Sequence, residues 1–252
     1  MNQPFLPPHY LARPLGPATP SAFFWHAPTE PAAQVDDLAA LALRAGTDTL
    51  TCLGWDSRLS FHFVMFATNE EFRRHIGRDV PDTMLMAPYT SEREAITAFH
   101  SPSANPRNGD PARMYGLLVH EIVHHLVNEI TGSRKILGDG NRDRKCPSWL
   151  DEGLAERVRG ELAERPDILE QARKQLAQAP EAIPDADLDR ILDDFDSPLR
   201  PFAFAAAIVS TWQEAERAGG LRRLFHRLPG FPVDARESIF HHRPSDFIVA
   251  RT

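Results

Sequence analysis

The sequence predicts an α+β fold, with a small mixed sheet and an edge strand in the N-terminal half and a mainly helical C-terminal half. Short apolar runs of strand length lie before residue 105, the clearest being Phe61-His62-Phe63-Val64-Met65-Phe66. Beyond Asn105 apolar residues recur at helical spacing. Capping residues bracket the strongest of those runs, Asp110-Pro111 before it and Gly132 after it.

Each element follows from local chemistry. Eight of the 22 prolines fall between Pro4 and Pro31. Proline lacks the amide donor that helix and sheet need, so residues 1–31 are expected to form an extended arm rather than packed secondary structure. The Phe23-Phe24-Trp25 cluster suggests that part of it docks on the body. From Ala32, the spacing of Val35, Leu38, Leu41 and Leu43 predicts a helix that ends before Gly46. After the 61–66 strand, Thr68-Asn69-Glu70-Glu71 reads as a capping box for a helix stopping near Gly77. Strands are expected at 83–87 and 94–99.

The helix opened by Asp110 carries apolar residues on nearly every face, which predicts a buried position. A polar loop at 138–145 leads to a second helix near Ser148, with Ser148 expected as its cap and Asp151 at its third position. Later helices are expected at about 167–179, 186–195, 201–218 and 220–228. Residues 32–252 then form one domain after the arm: an α+β part at 32–110, two central helices at 111–162, and a helical part at 163–252.

Composition narrows the function. The chain has 252 residues, 42% hydrophobic and 25% charged, ordinary values for a folded protein. Its net charge of −7 argues against nucleic acid as a partner, since that needs a basic face. The longest apolar stretch, 202–209, is far short of the roughly 20 residues that span a bilayer. The N-terminus lacks the apolar run of a signal peptide. Two cysteines give no disulfide framework and fit a reducing compartment. The expectation is a cytoplasmic protein with no membrane partner.

The chemistry lies in His120-Glu121-Ile122-Val123-His124. Residues four apart share one helix face, so both imidazoles can ligate one metal ion with Glu121 beside them. A plainer reading is two core histidines bonded to neighbours. That reading must explain these polar groups, and His125 next to them, in an apolar helix. A zinc site needs a third protein ligand and an open position. The candidate is Glu152 in Ser148-Trp149-Leu150-Asp151-Glu152-Gly153-Leu154-Ala155-Glu156, where Gly153 permits close approach of another helix. The alternative for Glu152 is a solvated acid at a helix start.

These two segments resemble the gluzincin zinc metallopeptidases, and in particular the compact peptidase MA-like families. The resemblance covers about residues 32–230 and implies a zincin-like fold. It implies one zinc per chain on His120, His124 and Glu152, with Glu121 as general base and Glu156 orienting His120. A peptide or protein substrate follows, held along an edge strand for which 94–99 is the choice. Many relatives have a tyrosine or histidine that steadies the oxyanion; here Phe202 or Phe204 stands at the corresponding place. Arg200, His26, Tyr89 and the His241-His242 pair are other donors, and the spacing selects none of them. A zincin-like binding module with structural zinc and little turnover is the alternative to a peptidase, and a hydrolase of another amide is a third reading.

Overall fold

In the computed structural model the described residues are 7–16, 21–76, 86–133, 145–163, 165–180, 183 and 185–230. The chain is α+β and divides into two compact units, Met1–Arg144 and Lys145–Thr252. No helix among the described residues is long and apolar enough to cross a membrane.

The first unit is built on a five-stranded mixed sheet. Its strands are β1 (Leu11–Pro14), β2 (Ala22–His26), β3 (Ser60–Phe66), β4 (Met86–Thr90) and β5 (Glu94–His100), in the order β1-β2-β3-β5-β4. The three inner strands β2, β3 and β5 run parallel, and β1 and β4 pair antiparallel at the two edges. Two expectations are corrected here. The proline-rich arm supplies two of the five strands. Its prolines spare β2 altogether, and Pro14 ends an edge strand, where a missing amide donor breaks no inner ladder. The second correction concerns the 94–99 segment, which is an inner strand between β3 and β4. Its Ala95 to His100 are buried on both faces, as inner strands of such sheets are. The edge on that side of the sheet is β4, and residues 83–85 of the expected strand lie outside the described residues.

Helix α1 (Ala32–Leu53) does not stop before Gly46. It runs on to Gly54, which takes φ 61° and closes it. A mid-helix glycine costs only about 1 kcal/mol relative to alanine, so it weakens a helix without ending it. Helix α2 (Asn69–Ile76) starts as expected, with Thr68 Oγ1 accepting from the Glu71 amide at 3.1 Å; Gly77 lies outside the described residues. Val64, Phe66, Phe72, Ile96 and Ala98 form an apolar cluster on one face of the sheet. On the other face Phe24 packs edge-on to Phe99, and Phe61 meets His125.

His125 belongs to α3 (Pro111–Thr131), whose caps are those the sequence names. Asp110 accepts from the amides of Ala112 and Arg113, and Gly132 has φ 67°. Tyr115 donates to Asp48 of α1 at 2.6 Å. Glu129 accepts from Trp55 Nε1 at 2.9 Å and from the Arg58 amide at 2.6 Å. These bonds fasten both ends of α3 in the first unit.

The second unit is helical: α4 (Ser148–Leu162), α5 (Ile168–Leu176), α6 (Asp185–Asp193), α7 (Arg200–Ala218) and α8 (Leu221–Arg227). Its centre is the contact of α4 with α7, where Gly153 lies against Ala207 and Thr211 so closely that a Cβ would stand 2.6 Å from the Ala207 carbonyl oxygen. The start of α4 differs from expectation. Pro147 is the cap residue and offers no side-chain bond, so Ser148 is already helical. Asp189 of α6 does the capping instead, accepting from the Trp149 amide at 3.1 Å, and Asp193 of the same helix accepts from Ser148 Oγ at 3.1 Å. Capping from a neighbouring helix leaves no local sequence signature.

Candidate metal centre

One turn apart on α3, His120 and His124 turn their Nε2 atoms toward each other at 3.0 Å, with ring planes at 81°. Two imidazole nitrogens on a tetrahedral zinc, each at about 2.0–2.1 Å, lie about 3.3 Å apart. The pair is therefore close to the spacing of two ligands on one ion. Glu121 follows His120 directly and is 8% exposed, and its Oε2 is buried with no hydrogen-bond partner. A carboxylate oxygen left so is costly unless a polar ligand belongs beside it. The chain's own residues thus fit a cationic guest: two converging imidazole nitrogens and a carboxylate oxygen with no hydrogen-bond partner.

His125, fully buried, has another task. Thr90 Oγ1 lies 2.8 Å from its Nδ1 and Thr97 Oγ1 lies 2.9 Å from its Nε2. Asn128 donates to Thr90 as well, at 3.2 Å. With both ring nitrogens engaged, His125 locks α3 onto β4 and β5 and fixes the rotation that decides where His120 and His124 point. Thr90, Thr97 and Asn128 are positioning residues that sequence reasoning missed. The available signal was a threonine inside the otherwise apolar Ala95-Ile96-Thr97-Ala98-Phe99.

In the second unit, Glu152 is half-buried and opens the second turn of α4. Glu156, one turn on, is buried and accepts from Arg159 Nη1 at 2.9 Å. His120 and His124 thus belong to the first unit and Glu152 to the second.

The residues considered for the oxyanion come from both units. Phe202 and Phe204 sit half-buried in the first turns of α7, and neither side chain can donate. Arg200 Nε donates to the Leu192 carbonyl at 3.0 Å and its guanidinium lies over Phe195. His26 Nδ1 lies 2.9 Å from the Ala27 carbonyl oxygen. Tyr89 is half-buried on the edge strand β4. His241 and His242 lie outside the described residues.

No protein-family model matches the chain, and no curated protein matches its sequence. The reading of the site therefore rests on its own residues.

Proposed function

We propose that the protein is a zinc-dependent metallohydrolase that cleaves peptide bonds, with His120, His124 and Glu152 as metal ligands and Glu121 as general base. One observation carries this reading: the Nε2 atoms of His120 and His124 converge, and the residue between them in sequence, Glu121, has a buried Oε2 with no hydrogen-bond partner. Zinc held by two imidazoles and a carboxylate, with one position open, acidifies water and polarises a carbonyl. Glu121 takes up a proton at Oε2 during attack and returns it to the leaving amine. His125 keeps the two ligand histidines aimed by holding α3 to the sheet. As an edge strand, β4 is the place where an extended peptide would add as a further strand.

A peptide library incubated with the zinc-loaded protein tests the proposal. Cleavage at a defined motif is expected, abolished by chelator and restored by zinc. Glu121→Gln should keep its zinc and lose about 10²–10⁴-fold in kcat; full activity in that variant contradicts the mechanism. Phe202 and Phe204 favour a second reading, a zinc-holding binding module, because a missing oxyanion donor costs about 3 kcal/mol of transition-state stabilisation. Absence of any cleavage by protein shown to hold zinc would favour that module.

A further inference from the structure

The first unit contains a cavity of about 510 Å³ between α1, the turn after it, and the start of the sheet. None of its lining residues belongs to α3, so it is separate from the histidine pair. Phe61, Phe63, Leu43 and Leu50 make its surface largely apolar, and the volume falls in the range of small-molecule sites. Asp56 is the one charged residue in the lining, and it is exposed.

Gly46 adds an independent clue. It lies in the middle of α1 and lines the cavity, yet a Cβ built there meets nothing within 4 Å. Gly153 has a packing reason to lack a side chain, since a Cβ there would collide with α7. Gly46 has none. Glycine is among the poorest helix formers, so its use over open space keeps volume free at the expense of the helix.

We propose that this cavity binds a small amphipathic amine, its apolar or aromatic body against Phe61 and Phe63 and its protonated nitrogen at Asp56. The body supplies most of the affinity by leaving water. The exposed carboxylate, screened by solvent, chiefly sets which head group is preferred.

Calorimetric titration of the full chain in the presence of chelator tests this independently of any metal chemistry. The probes are 4-phenylbutylamine, 4-phenylbutan-1-ol and 4-phenylbutyrate, which share a body and differ in charge. Saturable binding is expected in that order, with the amine about fivefold or more tighter than the carboxylate. Asp56→Asn should erase the preference for the amine. Gly46→Leu, which fills the space, should weaken the amine about tenfold or more without lowering the melting temperature. Gly46→Ala, a milder filling, should weaken it at least about twofold and covers the case in which leucine disturbs α1. Failure of all three probes to bind, a preference for the carboxylate, or undiminished binding in both Gly46 variants would overturn the proposal.

Discussion

Replacing His125 with leucine keeps the volume of the ring but leaves the Thr90 and Thr97 hydroxyls facing an apolar group in a buried place. The expected loss is about 2–4 kcal/mol, read from urea denaturation. The folded fraction should also hold zinc more weakly, because His125 aims the two ligand histidines, and His124→Ala should lose the metal outright. His62 is a second buried histidine with a distinct consequence. Burial pushes its pKa below the ordinary 6.5, against a smaller opposite pull from the Glu94 charge. Trp25 Nε1 donates to its Nδ1 at 3.1 Å, a bond that needs that nitrogen unprotonated. At pH values between the lowered folded value and about 6.5, the unfolded chain binds a proton that the native chain does not. The stabilisation is therefore complete above about 6.5 and is lost as pH falls. Melting temperatures measured from about pH 7.5 down to about pH 5 should drop more steeply in the wild type than in His62→Gln, which can still accept from Trp25.

Helix by helix, the sequence was legible where the chain caps itself. Asp110, Pro111 and Gly132 bound α3 within its own sequence, and α3 was read almost to the residue. At α4 the cap comes from Asp189 on α6, forty residues downstream, so the sequence pointed to Ser148 instead. Asp189→Ala should destabilise the second unit by about 1 kcal/mol, the usual cost of removing a helix cap, measurable by thermal melting. Gly153 was expected to permit a close helix contact, and it does so with α7. Gly153→Ala should cost about 1–3 kcal/mol or more, since Ala207 presents backbone, which cannot rotate aside. The 94–99 strand was found in the right place but assigned the wrong position in the sheet. Strand order depends on pairings between distant residues, and periodicity along one strand carries no record of its neighbours.

At the scale of the whole molecule, the α+β class followed from patterns that survive without tertiary information: apolar strand runs early, helical spacing late. The two strands within the proline-rich arm did not, because composition weighed the prolines together while their exact positions spare the ladder. The facing of His120 and His124 was legible because a four-residue spacing puts two side chains on one helix face. Thr90 and Asn128, whose bond helps hold α3 to the sheet, come from segments 38 residues apart and carried no local sign. The measurement that goes most directly to the central claim is metal content by elemental analysis, on the wild type, His124→Ala and Glu152→Ala side by side after zinc reconstitution. About one zinc per chain in the wild type, and clearly less in both variants, is the expected result. A wild type that takes up no zinc, or variants that hold as much as the wild type, would contradict it.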